Sequence, residues 1–145
     1  MFNLKNKYDV VETNRISGRY DGTLNRVEFV AGTDIENGRF VNVVDGVANY
    51  ATSAEGTFYL VTTPERLYQG GIDEFINEKG NELRCLQLVK GDEISTTAVI
   101  DKDLKKGEKV TIGAEGKLTK GEDGIFEVTG FRILGKEKGI TVELL

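Results

Sequence analysis

The chain contains no histidine and no tryptophan, and it has one cysteine, one proline and one methionine among its 145 residues. Without histidine it lacks the commonest general base and metal ligand. The single cysteine, Cys85, can form neither an intrachain disulfide nor a structural zinc site. Because Cys85 lies in the strand-like run 83–89, we expect a buried core thiol rather than a nucleophile. We therefore predict no enzymatic activity, no cofactor and no metal site.

A net positive charge is also absent, since 19 Lys and Arg residues face 24 Asp and Glu residues and the formal net charge is −5. A broad nucleic-acid surface needs clustered Lys and Arg side chains that release counterions. The densest basic stretch, 102–109, contains four lysines, but Asp103 and Glu108 are interleaved with them. We interpret this stretch as the solvated rim of a hairpin and predict no nucleic-acid partner.

Long apolar runs are missing as well. Residues 1–8 lack the apolar region of a signal peptide, and no window is long and apolar enough to cross a bilayer. We expect a protein that is made in a cytoplasm and has no membrane partner.

The chain does contain a strand-turn pattern that occurs twice in the sequence. In each copy an apolar residue is followed three positions later by glycine, then by an alternating strand, and then by a glycine-bearing turn into a second short strand. The copies begin at Ile35 and Leu104, with their first glycines at Gly38 and Gly107. This pattern is typical of a small β-barrel or sandwich.

The rest of the chain also consists mainly of predicted short strands separated by glycine-bearing turns. At the C-terminus Ile140, Val142 and Leu144 share one face, which predicts a half-buried strand. We predict a mainly β fold, a compact antiparallel β-barrel or sandwich with one short helical insertion and an extended N-terminal arm. Closure of the barrel would hide the strand edges. The expected organisation is an arm or peripheral strands over 1–30 and a barrel or sandwich domain over 31–145.

The insertion follows the only proline, Pro64. Gly70 and Gly71 interrupt its helical pattern, so we expect at most one or two short helical turns or a long ordered loop. Such an insertion between strands is a natural place for partner contacts. Its candidate contact residues are Leu67, Tyr68 and Phe75.

Two motifs that could indicate chemistry are rejected. Residues 130–136 match the start of a phosphate-binding loop, but Glu137 stands where that motif requires Ser or Thr. Acidic pairs such as Asp73 and Glu74, or Asp92 and Glu93, lie beside glycine or lysine in predicted turns. We interpret them as solvated turn formers rather than as catalytic carboxylates.

The chain resembles the small head decoration or capsid-stabilising proteins of tailed bacteriophages. The resemblance covers most of the chain but rests on scaffold signatures rather than on a diagnostic motif. The segments that carry it are 31–41, 59–65, 88–93 and 104–110. It implies a non-enzymatic β-rich protein that binds the outer surface of an assembled capsid, often as a trimer, with a terminal segment joining the capsid lattice.

From this resemblance we expect the major capsid protein as partner, a homo-oligomer with a trimer favoured, assembly in the host cytoplasm and a final location on the capsid surface of the virion. A terminal arm has no core of its own, so its apolar side chains need a cover from another subunit. An arm bound as an added strand would place these side chains in pockets of the shell protein. The candidate capsid-contact residues are Phe2, Leu4, Tyr8 and Val10.

Two rival interpretations remain open at this point. The second copy of the pattern, 104–118, also resembles hairpins of translation-factor-type and other small nucleic-acid-associated β-barrels, although the negative net charge opposes a nucleic-acid role. The other rival is a small trimeric phage enzyme on a β scaffold, for which the sequence offers no motif.

Overall fold

The computed structural model describes residues 5–16, 26–64 and 72–145, and these residues form a mainly β fold. Short strands and tight turns account for nearly all of its regular structure. Its first six strands are β1 (Val11–Arg15), β2 (Arg26–Ala31), β3 (Phe40–Val44), β4 (Val47–Tyr50), β5 (Tyr59–Val61) and β6 (Glu82–Leu86). The remaining five are β7 (Glu93–Thr96), β8 (Lys109–Ile112), β9 (Leu118–Lys120), β10 (Phe126–Leu134) and β11 (Glu137–Leu144).

Five of the strands close into a barrel in the order β2-β4-β3-β5-β6, with β6 pairing back to β2. This confirms the predicted mainly β fold, and of the two predicted forms, barrel or sandwich, these five strands form the barrel. One pairing differs from the expected antiparallel arrangement: β2 runs parallel to β4, with Val30 opposite Val47. A parallel pair needs a crossover connection, and here the connection is the long loop and β3 that separate the two strands in sequence.

A second layer is a six-stranded antiparallel sheet in the order β1-β7-β11-β10-β8-β9. It packs against one side of the barrel around a shared core. The rings of Phe40, from the barrel, and Phe126, from the sheet, lie 5.5 Å apart between centroids. Both side chains are fully buried, and burial of each such side chain stabilises the fold by about 1.5–3 kcal/mol.

The barrel has a smaller core of its own, formed by side chains that alternate inward along its strands. Cys85 belongs to it and is fully buried, as predicted, and burial raises the pKa of its thiol to about 12. The fully buried members of this cluster, apart from Ala31 at 1% exposure, are Ile35, Val41, Ala48, Val61, Leu83 and Cys85.

The last two strands form a long hairpin that is more continuous than the sequence predicts. The predicted strands 125–129 and 131–134 are one strand, β10, whose pairing with β11 shifts register between Val128 and Gly130. Because of this register shift, the strand continues through Gly130, where the sequence predicts a break. The rejected phosphate-loop segment lies in β10 and the turn after it. Ile140 and Val142 are buried in β11, as their alternation predicts.

The two copies of the repeated pattern lie in different layers and meet in space. The first forms β3 and β4, as predicted around Asp45 and Gly46, and the second forms β8 and β9. Gly116, in the 3₁₀ turn Ala114–Gly116, lies against the backbone of Phe40 and donates its N–H to the carbonyl of Ala51 at 2.7 Å. A Cβ at Gly116 would lie 2.2 Å from the Phe40 carbonyl oxygen, so only glycine fits this junction.

The described part of the region 1–30 is integrated into both layers. Strand β1 pairs with β7 at one edge of the six-stranded sheet, and β2 is a barrel strand. In the insertion, the described helical structure is the single 3₁₀ turn Ile72–Glu74, within the one or two short turns expected. No helix in the described residues could span a membrane.

Candidate partner-binding groove

The segment 5–10 before β1 is held against the rest of the fold along its length. The amide of Tyr8 donates to the backbone carbonyl of Asp73 at 2.8 Å, and the amide of Val10 donates to the hydroxyl of Thr97 at 2.9 Å. Further back, the Asn6 side chain donates to the carbonyl of Leu134 at 2.9 Å. The segment is therefore a fixed wall that joins the insertion, the six-stranded sheet and the β10–β11 turn.

These contacts bring together the two regions in which the sequence predicts partner contacts. Tyr8 and Phe75 are both half-buried, and the backbone bond from Tyr8 to Asp73 places the N-terminal segment beside the insertion. Val10 is only 3% exposed and belongs to the core, so it offers no surface to a partner in this conformation. The other candidates, Phe2, Leu4, Leu67 and Tyr68, lie outside the described residues, and the contact role of the set stays a prediction.

Arg39 lies at the floor of a groove beside this segment, immediately before β3. It is 7% exposed, and its Nε donates to Oδ2 of Asp9 at 3.0 Å while Nη2 pairs with Oε2 of Glu36. The guanidinium also stacks over the ring of Tyr50, 5.0 Å from its centroid. Burial alone would lower the pKa of Arg39, but Tyr50, Glu36 and Asp9 outweigh it and raise that pKa.

Asp9 ties the N-terminal segment to both layers at this floor. Its Oδ2 binds Arg39 of the barrel, and its Oδ1 accepts a hydrogen bond from the Thr97 hydroxyl at 2.9 Å, just after β7. Its amide donates to Oε1 of Glu36 at 2.7 Å. One charged residue therefore fixes the relative positions of three parts of the chain.

Glu36 shows that the floor is poorly solvated. Burial raises the pKa of its carboxyl above the ordinary 4.5, although the Asp9 amide and the Arg39 charge both act to lower it. Desolvation therefore outweighs the favourable contacts of this carboxylate. The floor holds one cation and two carboxylates, Arg39, Asp9 and Glu36, whose side chains are 8%, 15% and 16% exposed.

The rim of the groove is mainly positively charged. The groove encloses about 740 Å³ between the N-terminal segment, the loop before β3 and the β10–β11 turn. Its acidic lining residues are Asp9, Glu36 and Glu137, and its rim lysines are Lys5, Lys7, Lys102, Lys117, Lys136 and Lys138.

Two of the rim lysines have acidic partners within the described residues. Lys102 lies 3.7 Å from Glu137, and Lys136 lies 3.4 Å from Asp73. The other four form no ion pair with any residue that the structure describes. The rim therefore has lysines whose charge is available to an incoming anion.

The acidic pairs include two residues that differ from the solvated turn formers that the sequence predicts. Asp73 is 4% exposed and Asp92 is 1% exposed. Burial acts to raise the pKa of Asp73, but the hydrogen bond from the Lys7 amide and the contact with Lys136 outweigh it and lower that pKa. Asp92 accepts a hydrogen bond from the Val89 amide at 2.8 Å. Asp92 therefore organises its own turn from the inside, whereas Asp73 ties the 3₁₀ turn Ile72–Glu74 to the N-terminal segment.

An exposed apolar cluster lies elsewhere, at the β3–β4 hairpin. Val44 is 73% exposed, and its neighbours across the strands, Val47 and Val30, are 38% and 39% exposed. The three side chains are contributed by three adjacent barrel strands. We call them the valine cluster; they form a small apolar surface next to a tight turn.

The described residues contain no evident metal site and no buried polar group without a hydrogen-bond partner. No three His, Cys, Asp or Glu side chains among them come together as a metal site would require. Every buried side-chain nitrogen or oxygen of these residues has a hydrogen-bond partner.

Comparison with known proteins identifies a similar fold. No protein-family model matches the chain, and no curated protein matches it. Among solved structures, the chain is similar to the N base of the head fiber gp8.5 in bacteriophage phi29. The TM-score is 0.53 at 12% sequence identity, over 83% of this chain and 92% of that one. The chain shares the fold of a phage head fiber base.

The groove could not be predicted from a local cluster of basic residues in the sequence. Its six lysines come from separate parts of the chain, and of the basic stretch 102–109 only Lys102 lines it. The one local signal is the position of Arg39, a charged residue immediately before the mainly apolar strand β3. A buried arginine requires carboxylates nearby, but the sequence does not say that Asp9 is one of them.

Proposed function

We propose that this protein is a non-enzymatic structural component of a phage virion, which binds the outer surface of the capsid and stabilises or decorates it. The observation that carries the proposal is the shared fold with a phage head fiber base over most of both chains. The segments whose sequence resembles capsid decoration proteins support it independently.

The partner in this proposal is the major capsid protein. The surface that faces it includes the N-terminal segment and the insertion beside it, which the Tyr8–Asp73 hydrogen bond holds together. Phe2, Leu4 and Tyr8 supply apolar contacts from the segment, and Leu67, Tyr68 and Phe75 supply them from the insertion. Val10 contributes indirectly, because its burial anchors the segment.

The protein also self-associates in this proposal, with a trimer favoured. The valine cluster supports self-association, because burial of its three adjacent side chains against another copy of the chain stabilises the associated state. Light scattering after size exclusion should give a mass above that of one chain. Val44→Ser should shift the mass toward the monomer, whereas the exposed Thr57→Ser should not.

Co-sedimentation with capsids tests the binding proposal. Purified protein is mixed with particles of its phage that lack it, and bound protein is measured after gradient centrifugation. We expect saturable binding and capsids that resist heat better when saturated. Absence of binding to these particles would contradict the proposal.

Point variants test the N-terminal contact better than deletion does. Removing residues 1–10 would also remove Asp9 and Val10, which hold the fold together, so lost binding would be uninterpretable. The double variant Phe2→Ser/Leu4→Ser and the single variant Tyr8→Ser leave those anchors in place. Weaker capsid binding with unchanged thermal stability is expected, and unchanged binding in both variants would exclude the segment as a contact.

A further inference from the structure

The groove above Arg39 is lined mainly by positive side chains, whereas the chain as a whole is negatively charged. The chain as a whole carries a net charge of −5, but the groove is lined by seven cationic and three acidic side chains. The cations come from the N-terminal segment, the residue before β3, the β7–β8 connection, the end of the 3₁₀ turn Ala114–Gly116, the β10–β11 turn and the start of β11. A field of this sign in an acidic protein attracts anions to one place.

The arrangement of charge within the groove limits what the anion can be. The floor holds Arg39 already neutralised by Asp9 and Glu36, and the net positive charge is confined to the rim. A compact anion at the floor would meet two carboxylates in a poorly solvated site. An extended ligand, by contrast, can place separate negative groups along the rim.

The chemistry of the rim favours carboxylates on a peptide over a nucleic-acid backbone. Single-stranded nucleic acids are bound by aromatic platforms as well as by cations. Among the described residues Tyr8 is the one aromatic residue that lines the groove, and the ammonium of Lys7 lies 5.5 Å over its ring. Phe131 lies at the edge of the groove, where the ammonium of Lys138 covers its ring at 4.3 Å. An extended peptide, moreover, carries backbone N–H groups that can donate hydrogen bonds to the floor carboxylates.

We propose that this groove binds an extended acidic segment of a partner protein, with the partner's Asp and Glu side chains paired to the rim lysines. Lys5, Lys7, Lys117 and Lys138 are the principal contacts, since they have no ion-pair partner within the described fold. The inference rests on the proposed function only in naming the partner, which is then an acidic segment on the capsid surface. The acidic-segment chemistry itself rests on the groove.

The first experiment measures affinity with a defined probe. Fluorescence anisotropy is recorded for a labelled oligoglutamate peptide, with an oligoglutamine peptide and an oligothymidylate as comparison probes. The test variant is Lys5→Gln/Lys7→Gln/Lys117→Gln. The matched control is Lys79→Gln/Lys90→Gln/Lys106→Gln, which removes the same net charge from exposed lysines outside the groove.

We expect oligoglutamate to bind the wild-type protein, and added salt to weaken the binding. Three lost charge pairs at about 0.5–1 kcal/mol each predict that the groove variant binds roughly tenfold or more weakly. The control variant should retain near-wild-type affinity. Three results would overturn the inference: no binding of oligoglutamate, equal weakening in both variants, or tighter binding of oligothymidylate than of oligoglutamate.

Capsid binding by the same variants separates this inference from the proposed function. If the wild-type protein binds capsids and the groove variant binds them less than the control variant does, the capsid supplies the acidic segment. If all three bind capsids equally, the capsid is not the groove's partner, although the proposed function stands. If the wild-type protein binds oligoglutamate but no capsid, the proposed function fails and the groove chemistry stands.

Discussion

The Arg39 guanidinium and the Asp9 carboxylate form an ion pair at 3.0 Å between residues 30 positions apart in the chain. The pair joins the segment before β1 to the start of β3. Because Arg39 is 8% exposed in its side chain and Asp9 15%, both charges depend on each other and on Glu36 rather than on water. The pair therefore ties the groove wall to the barrel.

Arg39→Met should destabilise the protein by about 3–5 kcal/mol, since it leaves Asp9 and Glu36 as buried carboxylates without their cation. The free energy of unfolding in urea measures the loss. Arg15→Met is the matched control, because the Arg15–Glu143 pair is more exposed, and this change should cost at most about 1 kcal/mol. Similar losses in the two variants would show that Arg39 does not hold the segment.

Glu36 should give the protein an unusual pH dependence. Burial raises its pKa in the folded state above the unfolded value near 4.5, so the folded state keeps this proton to higher pH. Its contribution to stability is present at low pH and declines as the pH rises from about 4.5 through the folded pKa. The stability of the wild-type protein relative to Glu36→Gln should therefore fall over this window. A relative stability that rises there would contradict the assignment.

Gly116→Ala should be strongly destabilising because of the contact with Phe40. Its Cβ would lie 2.2 Å from a backbone oxygen that cannot move away freely, and its φ of +69° adds strain. Gly46→Ala has a similar φ of +79° but an open surrounding, so it should cost only about 1–2 kcal/mol. Thermal melting of both variants makes the comparison, and equal losses would mean that backbone strain alone accounts for Gly116.

Cys85 should not react with thiol reagents while the protein is folded. Its side chain is fully buried and its pKa is raised to about 12, so the thiolate is scarce and inaccessible at pH values near 8. Alkylation followed by mass spectrometry should show labelling only as denaturant unfolds the chain. Ser53→Cys adds an exposed thiol as a positive control, and fast labelling of Cys85 in native buffer would disprove its burial.

The parts of the fold that sequence could predict are those with local signals. The β3–β4 hairpin around Asp45 and Gly46 and the strand Lys109–Ile112 follow from alternation and glycine turns, and they are where the sequence places them. The parallel β2–β4 pairing could not be predicted, because it joins segments whose own patterns do not specify a partner. The groove was missed for the same reason, since its charges meet only after both layers have packed.

The N-terminal region illustrates this limit most clearly. Taken alone, Val10 is one of several scattered apolar residues and could belong to a free arm. The Asp9–Arg39 and Val10–Thr97 contacts place it in the core, and neither contact leaves a trace in the local sequence. An arm and an integrated strand thus have the same local pattern, and tertiary contacts decide between them.

The most direct test of the proposed function is a cryo-electron microscopy reconstruction of the phage capsid, with and without saturating protein. The proposed function predicts added density on the outer surface that fits the barrel and the six-stranded sheet, with the N-terminal segment against the shell. Added density that is confined to the capsid interior or the tail, or no added density at all, would contradict it.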